Sequence, residues 1–99
     1  MNIKIESIHF DADQKLLDFI RRKLGKLEQY FDRIIRMEVT LKLENSGQVK
    51  DKVVEVKIDV PGELLVAKGI SKSFEAATDE VSDVAKRQLI RHKEKVRSF

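Results

Sequence analysis

The spacing of apolar residues changes along this chain, and the change limits the folds that the chain can adopt. Apolar and polar residues alternate in "MEVTLKLE", residues 37–44, and again in "VVEVKIDV", residues 53–60, from Val54 onward. A period of two predicts half-buried strands with one face against a core. "NSGQ" at 45–48 and "PG" at 61–62 have turn chemistry, and "ELLVAKGIS" reads as a further strand. We therefore expect the three strands to form an antiparallel meander.

Two helices are predicted outside this meander. The first has apolar residues spaced alternately by three and four positions, at Leu17, Ile20, Leu24, Leu27 and Phe31. Asp11, with Gln14 three residues later, predicts a capping box at its start, and Gly25 inside it costs about 1 kcal/mol relative to Ala. Ser73 is the expected N-cap of the second helix, whose buried stripe is predicted at Phe74, Ala77, Val81, Val84, Ala85 and Leu89.

With a strand in "NIKIESI", the element order becomes β-α-β-β-β-α in 99 residues. That length suits one domain, and we assign residues 1–99 to it. Each strand has one polar face, so we predict an α+β fold in which both helices pack on the apolar face of a four-stranded sheet. If Leu65, Ala67 and Gly69 face inward, the small residues among them would let a helix approach the sheet closely.

Composition argues against several classes of function. The chain has no Cys, which excludes a disulfide or a thiolate metal site, and no apolar run approaches the roughly 20 residues that a bilayer requires. Its two histidines, His9 and His92, have no candidate nucleophile beside them, and its glycines form no phosphate loop. We therefore expect a cytoplasmic, non-enzymatic protein without a metal, a cofactor, a small-molecule substrate or a membrane partner.

The positive charge is concentrated in two segments. Net charge is only +3, but residues 15–26 hold five basic groups against one acidic group, and residues 85–99 hold six against one. On the first helix the basic stripe is Lys15, Arg22 and Lys26, flanked by Lys23 and Arg21. On the second helix Arg87 and Arg91 share one flank, and Lys86, Lys93 and Arg97 share another.

Two interpretations of these residues remain open. If both helices pack on one side of the sheet, the stripes form two positive ridges with a groove between them, which suits a polyanion. Charge runs are also typical of solvated helix faces, and Arg87 lies four positions after Asp83, the spacing of a helical ion pair.

At "KLGKLEQYFDRI" and "RQLIRHKEK" the sequence resembles the short-form ribosome hibernation promoting factors, also called ribosome-associated inhibitor A or sigma-54 modulation proteins. The likeness extends over the whole chain and includes "VPGEL" and "FEAATDEVSD". It implies the same β-α-β-β-β-α order, an arrangement like that of double-stranded-RNA-binding domains. It also implies binding to the small ribosomal subunit between head and body, over the mRNA path and the A and P tRNA sites. Translation would thereby be inhibited in starved or stationary cells.

The resemblance also implies which residues contact rRNA phosphates. The matching positions are Lys23, Lys26, Arg87, Arg91, His92, Lys93 and Lys95, and we add Arg22 and Lys86 on physical grounds. His92 is also expected at the edge of the packed stripe of its helix. Many members have Asp and then an aromatic residue where this chain has Ser73 and Glu75. We expect a ribosome-associated monomer that lacks the C-terminal dimerisation domain of long forms.

Two further hypotheses belong to other classes. One is a protein-interaction module that modulates a transcription factor through the ionic exterior of the strands. The other is a generic binder of double-stranded RNA, which would bind any A-form duplex with equal affinity.

Overall fold

The predicted order of elements is present in a computed structural model that describes residues 2–46 and 49–97. The strands are β1 (Asn2–Ser7), β2 (Arg36–Ser46), β3 (Val49–Val60) and β4 (Glu63–Ser71). The helices are α1 (Gln14–Gly25) and α2 (Phe74–Arg97), and a short 3₁₀ helix (Lys26–Gln29) follows α1 directly. The turn predicted at 45–48 lies partly outside the described residues.

The four strands form one sheet in the order β1-β2-β3-β4. β1 pairs parallel to β2 through the α1 crossover, and the remaining pairs are antiparallel, so the predicted meander is confirmed. Its register places Val39 opposite Val56 and Val56 opposite Ala67. These three side chains are buried, which shows that the period-two pattern identified the inward face.

β4 is joined to β3 by the Pro61–Gly62 turn and packs closely against α2. Gly62 has φ 84°, a left-handed conformation that glycine adopts without steric cost. Gly69 faces inward, where an added Cβ would overlap the carbonyl oxygen of Ala77. The expectation that small residues on β4 allow a close helix approach is therefore confirmed.

The start and the end of α1 differ from the sequence-based expectation. The N-cap is Asp13, whose extended backbone directs its carboxylate to accept a 2.9 Å hydrogen bond from Leu16 N, so the prediction of an Asp11 cap was wrong. Gln14 is consequently the first helical residue, and its side chain donates to Asp18 instead. Gly25 ends α1 rather than lying inside it, and the buried stripe continues through the 3₁₀ helix to Phe31.

α2 begins as predicted. Ser73 Oγ accepts from Ala76 N at 3.1 Å, and most of the predicted stripe is buried, with Val84 half-buried. The stripes of α1 and α2 share one core with the apolar face of the sheet, so both helices cover that face. In the described parts of the chain, neither helix is both long enough and apolar enough to span a bilayer.

Candidate nucleic-acid interface

The basic residues of α2 point away from the core in several directions. Ala77, Val81, Ala85 and Leu89 form the fully buried side of the helix. Successive residues of a helix are about 100° apart, so the neighbouring positions fall on a flank toward α1, on an outward side and on a flank toward β4. The predicted site residues of α2 are distributed over all three sides, and they therefore do not form one compact cluster.

The flank toward α1 brings basic residues from distant segments together. A groove of about 140 Å³, here called the inter-helix groove, is lined by Lys23, Lys26, Gln29, Tyr30, Asp83 and Lys86 among others. The first two lysines come from the end of α1 and the start of the 3₁₀ helix, and Lys86 comes from α2. Packing of both helices on one sheet face is what places them around one depression.

Two contacts hold cations in this region. Lys23 Nζ lies 3.1 Å from Asp79 Oδ1, with the side chains 41% and 56% exposed. An ion pair this exposed is worth about 0–1 kcal/mol, so a phosphate can replace the carboxylate at small cost. Lys86 Nζ lies 5.0 Å from the centre of the Tyr30 ring, within cation–π range.

Arg22 does not line the inter-helix groove. Its guanidinium lies over the ring of Phe19, 5.8 Å from the ring centre. The adjacent Arg21 donates to the carbonyl of Ile3 at 2.7 Å, which ties α1 to β1. Arg22 is exposed, but it occupies a separate part of the α1 surface.

The flank of α2 toward β4 forms a second groove of about 280 Å³, here called the edge groove. Gln88, Arg91, His92 and Lys95 line it on the helix side, and Glu63, Leu64, Leu65 and Val66 line it on the strand side. Gln88 Nε2 donates to the Val66 carbonyl at 2.9 Å. Arg91 is exposed here, while Lys95 Nζ lies 3.5 Å from Glu63 Oε1.

His92 is part of the packed structure rather than of the basic surface. It is 4% exposed, and its ring packs edge-on against Phe31 with the ring centres 5.1 Å apart. Its Nδ1 lies 2.7 Å from Glu63 Oε2. The hydrogen bond with His92, helped by the charge of Lys95, holds the pKa of the Glu63 carboxyl below its usual value. The expected place at the edge of the packed stripe agrees with this geometry, whereas a phosphate contact does not, because the ring has almost no accessible surface.

Lys93 and Arg87 occupy two further positions. Lys93 is half-buried and lines a groove of about 300 Å³ with Phe31, Asp32, Arg33 and Val96. Arg87 is exposed beside Glu80 and Asp83, in a shallow depression that Lys86 also lines. Lys86 therefore links the inter-helix groove to the outward side of α2.

The outer face of the sheet differs from the helical face because its charges largely pair with one another. Lys42 Nζ lies 2.8 Å from Glu55 Oε1 across β2 and β3, and this contact raises the pKa of the Lys42 ammonium and lowers that of the Glu55 carboxyl. Arg36 lies 3.5 Å from Asp59, also across these strands. The alternating charges of these strands predict cross-strand pairs among Glu38, Lys42, Glu55, Lys57 and Asp59. The prediction is confirmed for Lys42, Glu55 and Asp59.

Sequence reasoning missed three residues of this surface. Tyr30 supplies the aromatic ring under Lys86, Glu63 holds His92 and Lys95, and Arg33 lies beside Lys93. Each is brought to its partner by tertiary packing over a long sequence separation. The only local signal was the position of Tyr30 within "KLGKLEQYFDRI". Among the described residues, no group of three or more His, Asp or Glu side chains is arranged to hold a metal.

Comparison with known proteins places this chain in a family. Curated relatives named ribosome hibernation promoting factor include one from Pseudomonas putida, 35% identical over 100% of this chain and 93% of its own length. Another, from Escherichia coli strain K12, is 33% identical over 98% of each chain.

Two solved structures have the same fold. The N-terminal domain of Thermus thermophilus Protein Y superposes with a TM-score of 0.80 and 27% identity, covering 93% of this chain and 99% of that one. A ribosomal subunit interface protein from Coxiella burnetii reaches a TM-score of 0.84 at 19% identity over 95% and 99% of the two chains, a likeness of fold alone. The family model described as sigma 54 modulation protein / S30EA ribosomal protein matches residues 3–97. This chain therefore belongs to the sigma 54 modulation protein / S30EA ribosomal protein family.

Proposed function

We propose that this protein is a ribosome hibernation factor that binds rRNA of the small ribosomal subunit through the helical face and inhibits translation. The observation that carries the proposal is the inter-helix groove, where Lys23, Lys26 and Lys86 meet from two distant segments. The names of its relatives, ribosome hibernation promoting factor, support the same role.

The physical basis is attraction between clustered cations and regularly spaced phosphates. Each phosphate that a lysine or arginine neutralises releases condensed counterions, which favours binding without base recognition. Arg87, Arg91, Lys93 and Lys95 extend the positive surface along α2 beyond the inter-helix groove. The outer sheet face, by contrast, is largely neutralised by its own ion pairs, so we assign the contact to the helices.

In this proposal the protein acts by occupancy and catalyses no reaction. Residues 1–99 form one ribosome-binding domain that covers the mRNA path and the tRNA sites, and the protein is a monomer in the cytoplasm when it is not on a ribosome. His92 is removed from the proposed contact set, because its buried ring supports the end of α2 from inside. Arg22 stays in the set as an exposed cation of α1, outside the inter-helix groove.

The test is co-sedimentation with purified small subunits in a sucrose gradient. The variant Lys23→Glu, Lys26→Glu, Lys86→Glu reverses three charges around the inter-helix groove. The unmodified protein is expected to travel with the subunit at low salt, and this variant is expected to remain at the top of the gradient.

A matched control reverses three exposed lysines elsewhere, at Lys4, Lys57 and Lys72. It has the same net charge as the first variant, and we expect it to retain most of the binding. Equal losses in the two variants would reduce the proposal to a net-charge effect. Retained binding in the groove variant would refute the assigned surface.

A further inference from the structure

Tyr30 lines the inter-helix groove, and Lys86 lies over one face of its ring. Its side chain is half-buried, so the core holds the ring in place. The exposed Lys86 places its ammonium 5.0 Å from the ring centre. A solvated cation reaches only a face that core side chains leave uncovered, so this face opens to the groove.

The groups around that ring match the two parts of a nucleotide. The π-face of Tyr30 offers a stacking partner for a base, and the side chains of Lys23, Lys26 and Lys86 offer cations for the phosphates on either side. Single-stranded nucleic acid is bound in this manner by other proteins, through an aromatic platform beside a positive track. A duplex keeps its bases stacked inside and has none to place on the ring.

The ring is covered by Lys86, but a base competes well for this place. An exposed cation–π contact favours the occupied state by roughly two- to fivefold, whereas stacking of a base on an aromatic side chain favours binding by roughly five- to 150-fold. The displaced ammonium also gains a phosphate partner. An unpaired base that reaches the groove therefore replaces the Lys86 ammonium on the Tyr30 ring.

We propose that the inter-helix groove is a binding site for one unpaired nucleotide, in which the base stacks on Tyr30 and Lys86 moves from the ring to an adjacent phosphate. This inference rests on the proposed function, because it states which form of RNA the same surface selects. It adds a contact that depends on a base to a surface that otherwise reads charge alone.

Tyr30 gives a direct signal for the test, because the 99-residue chain contains one Tyr and no Trp. The intrinsic fluorescence of the unmodified protein is titrated with a short single-stranded oligoadenylate and, separately, with an abasic ribose–phosphate strand of the same length. We expect the oligoadenylate to quench the tyrosine emission and to bind roughly fivefold or more tightly than the abasic strand. Equal affinities, or binding without quenching, would overturn the stacking site.

Two variants separate stacking from a structural role. Tyr30→Phe keeps the ring and is expected to keep the preference for the base-bearing strand, as measured by fluorescence anisotropy of labelled strands. Tyr30→Leu is expected to bind both strands equally while still binding the abasic strand as the unmodified protein does. A preference that persists in Tyr30→Leu, or a parallel loss of both strands, would contradict the inference.

These outcomes are distinguishable from failure of the proposed function. If the two strands bind equally and the Lys23, Lys26, Lys86 reversal still abolishes co-sedimentation, the phosphate surface stands and the base site is overturned. If neither strand binds, the base site is also overturned, and co-sedimentation alone decides whether the chain binds the subunit.

Discussion

At Gly69, the distance between β4 and α2 depends on a single missing side chain. A Cβ there would overlap the Ala77 carbonyl oxygen and lie 3.1 Å from Val81 N, both in helix backbone that cannot rotate away. The close approach lets the alanines of α2 contact the sheet directly. Gly69 on the strand and the alanines on the helix therefore together allow the close packing of α2 on β4.

We expect Gly69→Ala to lower the free energy of unfolding by about 2 kcal/mol, because overpacking forces the helix away from the sheet. Gly25→Ala is the matched control, since Gly25 has helical φ and ψ and open space around its Cβ position. That change should be neutral or should stabilise by about 0.4–1 kcal/mol. Urea denaturation measures both, and equal effects would contradict the packing argument.

Glu63 makes stability depend on pH. Its pKa is lowered in the folded protein by His92 and then Lys95, so the unfolded chain binds more protons just below the usual value of 4.5. Stability from this group is therefore present above that value and is lost as pH falls through the folded pKa. We expect Glu63→Gln to be less stable than the unmodified protein at neutral pH, with the difference disappearing in acid.

Urea midpoints measured from neutral pH downward follow this difference. Glu6→Gln, on the exposed outer face of β1, controls for removal of a negative charge. If the stability difference between Glu63→Gln and the unmodified protein stays constant across the acid range, the Glu63 carboxylate makes no pH-dependent contribution to stability.

At the scale of an element, α1 shows how a helix start depends on one residue's backbone. Asp11 and Asp13 are two positions apart, and aspartate is a favoured N-cap residue at either position. Asp13 is the N-cap because its extended backbone, with φ −75° and ψ 162°, directs its carboxylate to accept from the Leu16 amide. The choice depends on where the chain leaves β1, which a local motif does not encode.

We expect Asp13→Ala to destabilise the protein by about 1 kcal/mol, since a backbone amide loses its acceptor. Asp11→Ala removes the same charge from an exposed neighbouring position and should change stability by less than about 0.5 kcal/mol. Thermal or urea unfolding distinguishes them, and a larger cost for Asp11→Ala would contradict the observed cap.

At the scale of the whole molecule, the two faces of an elongated body of 50 × 27 × 18 Å differ in how their charges are arranged. The sheet face holds paired charges, and the helical face holds the basic grooves. Such an arrangement orients the protein as it approaches a polyanion. Binding should therefore be both fast and sensitive to ionic strength.

The salt dependence counts the phosphate contacts. Each contact contributes about −0.7 to −0.9 to the slope of log affinity against log salt. We expect Lys23→Gln, Lys26→Gln, Lys86→Gln to reduce the magnitude of the slope for ribosomal subunits by about 2 to 3. An unchanged slope would show that these lysines do not meet phosphates.

The fold was largely predictable, because the apolar period of each element is a local property. Every second residue is buried on β2 at Met37, Val39 and Leu41 and on β3 at Val54, Val56, Ile58 and Val60, and the α2 stripe follows from its spacing. The surface was less predictable. Lys86 over Tyr30 and Glu63 beside His92 are tertiary contacts, and their residues carry no mutual signal in sequence. The spacing placed Lys93 on a flank but gave no indication of Arg33 beside it.

The Gln88 hydrogen bond has a consequence for self-association. Val66 turns its carbonyl toward the free edge of β4, and in an antiparallel strand Leu64 and Lys68 turn their amides the same way. The side chains of Leu64 and Val66 are 56% and 52% exposed, so this edge would be a template for strand addition by another copy. Gln88 donates to one backbone acceptor of this edge, the Val66 carbonyl, so α2 makes that acceptor unavailable to a second strand and opposes aggregation. A Gln88 variant with reduced ribosome binding would therefore need its association state measured before the loss is assigned to RNA.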